Sequence, residues 1–174
     1  MLIKRHIGRI ARGPDRGFTL AELMVVLAIV AVSATLAAPS IATIMAGYRV
    51  RGIGEGILTG LNYARTEAVR RNTPVSFALT AGGAGWTVSQ LSPSQTLQSR
   101  SSADAQGITV ASSTANTSVT FLATGLLAAG SQMAQVTVSS SVDATKARRI
   151  NIFGGGLIRM CDPAITTAND PRRC

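Results

Sequence analysis

The chain has 174 residues, 46% of them hydrophobic, and a formal net charge of +9, which allows one folded domain with a modest core plus a membrane segment. Its single histidine, His6, lies within the first seventeen residues, so the rest of the chain has no imidazole for acid–base catalysis or metal binding. Twelve basic against seven acidic side chains from Phe18 onward leave a net charge of +5, a moderate excess whose placement matters more than its size.

The first segment, residues 1–17, carries Lys4, Arg5, Arg9, Arg12 and Arg16 against one acid, Asp15. From Phe18 to Pro39 the chain is apolar for about the length a bilayer demands, roughly 20 helical residues. The basic flank is expected to stay in the cytoplasm, which places everything beyond Pro39 on the other side of the membrane. Glu22 is the one charge in the apolar run, and a carboxylate in lipid costs about 2.5 kcal/mol or more, so it calls for a partner or a function. An ordinary secretory signal, with a small-residue site near Val32-Ser33-Ala34, is one alternative, and a plain membrane anchor is another.

After Pro39, Ile41, Ile44, Met45, Tyr48, Ile53, Ile57, Leu61, Ala64 and Ala68 recur at mostly helical spacing, which predicts an amphipathic helix over 40–74 that continues the membrane helix. Five glycines between Gly47 and Gly60 each weaken a helix by about 0.5–1 kcal/mol relative to alanine, so a flexible or partly melted section is expected there. Asn72-Thr73-Pro74 ends the helix. Residues 75–160 then read as β, with strands at Val75–Thr80, Trp86–Leu91, Ile108–Ala111, Val119–Leu122, Val136–Ser140, Arg148–Phe153 and Leu157–Cys161. Gly82–Gly85 and Gly154–Gly156 read as turns, lacking the lysine and the strand-to-helix setting of a phosphate loop. Ser92–Gln106, rich in Ser and Gln, is expected to be a surface loop. Residues 161–174 have no periodicity and form a tail. In an oxidising compartment Cys161 and Cys174 read as a disulfide holding that tail, with reduced thiols or a Cys174 bond to another chain as the alternatives. The fold class is α+β: a long N-terminal helix, transmembrane in its first half and amphipathic in its second, packed on an antiparallel sheet.

The string Gly17-Phe18-Thr19-Leu20-Ala21-Glu22, after a short basic leader and before an unbroken apolar helix, resembles the N-terminus of type IV pilins and of the pseudopilins of type II secretion. The resemblance implies that a prepilin peptidase cuts after Gly17 and methylates the new amine on Phe18. It implies that Glu22 faces the terminal amine of a neighbouring subunit, and that Pro39 takes the place of a helix-bending proline. Farther on, Leu61-Asn62-Tyr63-Ala64-Arg65-Thr66-Glu67-Ala68-Val69-Arg70-Arg71, Gly85-Trp86-Thr87-Val88, and the C-terminal Gly156-Leu157-Ile158-Arg159-Met160-Cys161-Asp162 are similar to the GspH/FimT family of minor pilins and pseudopilins. One departure stands out. Leu157 occupies the position of the first arginine in the Gly-Arg-x-Arg motif of the FimT end, and only Arg159 remains.

No catalytic constellation, metal-ligand spacing or cofactor motif is present in the sequence, so neither an enzyme nor a cofactor is expected. The chemical signal is basic: Lys146, Arg148, Arg149, Arg159, Arg172 and Arg173 stand near the C-terminus against Asp162 and Asp170. Such a cluster can neutralise several phosphates without reading sequence. In the FimT branch the C-terminal region is associated with DNA binding in natural transformation, which makes double-stranded DNA an implied partner. The sequence reading is a structural subunit of a type IV pilus in the inner membrane, with other pilins as partners. The alternative is a GspH-like pseudopilin that contacts other pseudopilins or cargo in type II secretion.

Overall fold

The structure is a computed structural model. It describes residues 17–80, 83–103, 105–130 and 133–174, so the basic leader before Gly17 and Asp104 lie outside the described residues. The chain divides into two units at Pro39/Ser40, and both share the sequence of one helix, α1 (Leu20–Arg71). Thr19 caps α1: its Oγ1 accepts from the Glu22 backbone N–H at 3.2 Å. At the other end Asn72 takes a left-handed φ of 51°, and the Thr73 N–H donates to the Ala68 carbonyl at 3.2 Å, the closing bond of a helix C-cap. Pro74 then excludes further helix.

In the first unit every residue from Gly17 to Pro39 is exposed. In the second unit, α1 buries Ala46, Val50, Ile53, Ile57, Leu61, Ala64 and Ala68, a stripe at three- and four-residue spacing. This corrects the start of the predicted stripe. Ile41, Ile44, Met45 and Tyr48 are exposed, because the helical period runs back from Ile53 through Val50 and Ala46 and leaves the bulkier residues on another face.

The expected melting between Gly47 and Gly60 is also corrected, since α1 is helical throughout. Two of the glycines, Gly54 and Gly60, are where the sheets come close. A Cβ at Gly54 would stand 3.2 Å from Met160 Sδ and 3.5 Å from Arg148 Cβ, and one at Gly60 would stand 2.9 Å from Phe77 and 3.0 Å from Trp86. Packing gained by the close approach offsets the weak helix propensity.

Among the described residues eight antiparallel strands follow, in two four-stranded sheets rather than the single sheet expected. The first has β1 (Val75–Leu79), β2 (Trp86–Gln90), β3 (Gln95–Arg100) and β5 (Ser118–Phe121) in the order β3-β2-β1-β5. The second has β4 (Ile108–Ser112), β6 (Gln135–Ser140), β7 (Ala147–Ile152) and β8 (Ile158–Cys161) in the order β4-β6-β7-β8. Alternation sets the inward faces: Val75, Phe77 and Leu79 on β1, Trp86 and Val88 on β2, Val136 and Val138 on β6, and Ile150 and Ile152 on β7 are buried. They join the α1 stripe in one core. The predicted loop over Ser92–Gln106 contains β3, which pairs with β2 across a register shift at Val88/Ser89. Its side chains are nearly all exposed, as an edge strand allows.

The end of α1 is fastened to β2 by a polar hub. Glu67, 6% exposed, accepts from Arg70 at 2.7 and 2.9 Å and from Arg71 at 2.6 Å. Arg71 in turn donates to Gln90 Oε1 at 3.1 Å, and Gln90 donates to the Ser92 carbonyl at 2.9 Å. The hydrogen bonds from Arg70 and then Arg71 draw the Glu67 carboxyl down to about 2, from an ordinary 4.5. The folded value is the depressed one, so the carboxylate's contribution is complete above about pH 4.5 and is lost as pH falls through about 2. Glu67→Gln should lower stability at neutral pH by about 2 kcal/mol. It should also flatten melting temperature against pH between those limits, as calorimetry across that range would read; an unchanged profile would contradict this.

Candidate functional sites

Two regions answer to the sequence expectations. The first is the apolar segment. Phe18 is 85% exposed, and the large side chains from Leu20 to Leu36 are all between 48% and 76% exposed. Uncovered apolar surface of this extent marks a segment meant for lipid or for other chains. The helix that contains it is long and apolar enough to cross a membrane. Glu22 lies in its first turn, where the helix dipole favours a carboxylate. Among the described residues no ion pair engages it. Among the described residues, chain neighbours aside, nothing crowds Gly17 within 4 Å of where a Cβ would stand. Pro39 lies inside α1, which continues past it.

The second region is the C-terminal tail. Cys161 and Cys174 form an intrachain disulfide, with Cα atoms 5.1 Å apart, and Cys161 is buried. The tail is further stitched to β8. The Asp162 N–H donates to the Arg172 carbonyl at 2.7 Å, and Arg159 Nη2 donates to the Pro171 carbonyl at 2.6 Å. Asp162 and Arg173 form a parallel bridge.

These contacts reassign the arginines. Arg148 is not a free surface cation: its stem packs beneath Gly54 of α1, and its Nη1 meets Asp162 Oδ2 at 2.6 Å. Arg172 clasps Asp170 through Nε at 3.1 Å and Nη2 at 2.9 Å. That guanidinium and the Arg172 backbone N–H hold the Asp170 carboxyl below its ordinary value. Arg149 sits on the opposite face of β7 from Arg148, opposite Cys161 in the register, half-buried and with its Nε unpartnered among the described residues. Arg159 spends donors on tail carbonyls, and Arg173 is exposed. The tail therefore gathers Arg159, Arg172 and Arg173, reaches Arg148 through Asp162, and has Arg149 as the cross-strand neighbour of its anchoring Cys161, on the face of β7 away from Arg148.

Arg51 joins this region unpredicted, sharing a cavity of about 220 Å³ with Arg148, Met160, Cys161, Asp162 and Arg172. No sequence signal links residue 51 to the tail. The Glu67 hub, also unpredicted, does have a sequence signal in the i, i+3 and i, i+4 spacing of Glu67 to Arg70 and Arg71. Leu157, at the departure from the arginine motif, is 60% exposed, so that position presents its side chain to solvent. Among the described residues no group of three His, Cys, Asp or Glu side chains gathers as a metal site.

Comparison with known proteins bears on the apolar segment and on the globular unit up to residue 156. The family model described as type II transport protein GspH matches residues 54–156, and the prokaryotic N-terminal methylation motif matches residues 12–38. Over 70 residues the chain is 34% identical to type II secretion system protein H of Xanthomonas campestris pv. campestris, covering 40% of this chain and 41% of that protein. The chain thus aligns with about two fifths of the length of that curated relative. The fold is similar to the type IV minor pilin FimU of Pseudomonas aeruginosa, with a TM-score of 0.54 and 22% identity over 64% of this chain and 87% of that one. It is also similar to the minor pseudopilin EpsH from the type 2 secretion system of Vibrio cholerae, with a TM-score of 0.52 and 12% identity over 67% of this chain and 99% of that one. At these identities the structural likeness is one of fold. The GspH model spans more than half of the chain, and the chain belongs to the GspH family of minor pilins and pseudopilins.

Proposed function

We propose that the chain is a minor subunit of a type IV pilus, inserted in the inner membrane with residues 40–174 in the periplasm. In this reading residues 1–17 are a leader cut after Gly17, Phe18 becomes the methylated N-terminus, and residues 18–39 pass from bilayer to filament core. The observation that carries it is the exposed apolar segment, residues 17–39, with one carboxylate near its start that has no ion-pair partner among the described residues. A neighbouring subunit's terminal ammonium neutralises Glu22 and fixes the axial register of the two helices. The type II secretion reading, a pseudopilin contacting other pseudopilins or cargo, is supported by the 34% identity to a secretion protein H.

For the pilus subunit we further propose non-specific binding of double-stranded DNA at the tail. The paired state of Arg148 and Arg172 narrows the candidates to Arg159 and Arg173, with Arg149 secondary. Titration of the oxidised full chain in mild detergent, at two salt concentrations, tests this. Binding should weaken steeply with salt, and the double variant Arg159→Ala/Arg173→Ala should lower the log–log salt slope by about 2, near 0.9 per phosphate contact. Arg148→Ala, whose partner is Asp162, should leave the slope unchanged. No binding at low salt, or a slope indifferent to Arg159 and Arg173, would remove DNA from the account.

A further inference from the structure

The globular unit begins at Ser40, so the chain itself fixes which end of that unit adjoins the apolar segment. At this end the turn between β6 and β7 stands beside the start of the unit's helix. Lys146 lays its stem over Gly47, with Cδ 3.8 Å from where a Cβ would be. Val142 lines a groove of about 250 Å³ together with Ala42, Met45 and Arg49. Val142 is 58% exposed and Tyr48 69% exposed, and Arg49 and Lys146 are exposed beside them.

Among residues 40–50 and 140–146 the one acid is Asp143. Its Oδ1 accepts from the Thr145 N–H at 2.9 Å and hydroxyl at 2.6 Å, so it is engaged within the turn. Arg51, farther along, is paired with Glu55 at 2.7 Å. The end thus combines two exposed cations, of which Lys146 adds to the Thr145 hydrogen bonds in lowering the Asp143 carboxyl, an aromatic with a polar tip and a protruding valine. Tyrosine and basic side chains of this kind favour the bilayer interface.

Reach decides the occupant. Ala42 and Met45 are three and six residues beyond Pro39, at most about 10 Å along a helix rising ~1.5 Å per residue. The polar headgroup layer is roughly 5–7 Å thick on each side of the hydrocarbon. If the apolar segment ends near Pro39, Ala42 falls within the headgroup layer and Met45 near its outer edge, and the long Arg49 side chain, about 15 Å along the helix, leans back toward them because helix side chains tilt to the N-terminus.

We propose that this end is a bilayer-contact surface: Arg49 and Lys146 engage anionic phospholipid headgroups while Tyr48 and Val142 dip into the interface, seating the subunit on the periplasmic leaflet before assembly. The proposal rests on the membrane-anchored reading above. It adds a surface that must be released when the subunit leaves the bilayer, since the cations trade lipid phosphates for other partners at that step.

The test uses the full chain in vesicles of phosphatidylethanolamine and phosphatidylglycerol, one set with acyl chains brominated near the headgroup and a second set brominated near the chain ends, the second reading the mid-bilayer Leu27 position. Tryptophan is introduced singly at Val142, at Leu157 as a remote exposed position, and at Leu27 in the apolar segment. The background is the buried native Trp86, read from the unaltered chain. Val142→Trp should be quenched well beyond Leu157→Trp. Adding Arg49→Glu and Lys146→Glu should reduce the seated population by roughly thirtyfold or more, at about fivefold per cation lost from an anionic surface. Replacing phosphatidylglycerol by phosphatidylcholine should act in the same direction. Quenching at Val142 no greater than at Leu157, with Leu27 strongly quenched, would overturn the surface while leaving the anchor standing. Absence of quenching at Leu27 would overturn the anchor, and this proposal with it. Tyr48→Trp, at a second exposed position, guards against a local fault in the Val142 variant and should give the same ordering.

Discussion

Glu22→Ala is expected to leave membrane insertion and cleavage intact and to remove the chain from assembled filaments. Alanine suits an apolar helix better than a carboxylate does, so insertion becomes easier, by about 2.5 kcal/mol or more at bilayer depth. Assembly responds in the opposite sense. A neighbour's terminal ammonium, buried among apolar helices without its counter-charge, is left uncompensated, and breaking one side of such a pair costs about 3–5 kcal/mol. That corresponds to a loss on the order of a hundredfold or more in incorporation. Among the described residues Glu22 has no ion-pair partner within its own chain, so the cost falls on assembly and not on the fold of the monomer. Quantifying the variant in sheared filament and membrane fractions checks this. Equal amounts of variant and native chain in the filament fraction would refute the register role.

The second large effect concerns the globular unit. Gly60→Val places methyl groups where Phe77 and Trp86 already stand, with even the Cβ at 2.9 and 3.0 Å. The two rings are themselves packed with centroids 5.7 Å apart, and neither is a flexible chain end that can swing aside. Overpacking of this kind costs about 3 kcal/mol at its upper range. For a chain of this size that lowers the melting temperature by roughly 6–12 °C. Gly52→Ala is the contrast: nothing lies within 4 Å of its Cβ position, so the helix gains about 0.5–1 kcal/mol. Denaturation of both variants, followed by the fluorescence of Trp86, should move the midpoint in opposite directions. Two equal shifts would contradict the close approach of α1 to the sheets.

The contrast between these glycines also explains what was legible in the sequence. Composition gives each glycine the same helix penalty, which is why melting was expected between Gly47 and Gly60. Only the packing distinguishes Gly54 and Gly60, which admit the sheets, from Gly52, which faces open space. The strands with clean alternation, such as Val75–Leu79 and Gln135–Ser140, could be read directly because one face is buried. β3 could not: within Gln95–Arg100 only Leu97 is partly buried against the core, and one apolar residue sets no period. The bounds of α1 followed from the apolar run and from Asn72-Thr73-Pro74, but the orientation of its stripe near Tyr48 did not, since several apolar faces compete there.

The tail shows the same division. Its disulfide was foreseeable from two cysteines in an oxidising compartment. Which arginines stay free was not, because that depends on Arg148 passing beneath Gly54 to reach Asp162 and on Arg172 turning back to Asp170. Adjacent residues such as Arg148 and Arg149 have the same charge in the sequence and opposite environments on β7.

The measurement that bears most directly on the central claim is mass spectrometry of the chain recovered from purified filaments. The account predicts a polypeptide beginning at Phe18, carrying one methyl group on its amine and an intact Cys161–Cys174 disulfide. A chain found only in the membrane with residues 1–17 still attached, or a soluble product beginning beyond Val32-Ser33-Ala34, would contradict it.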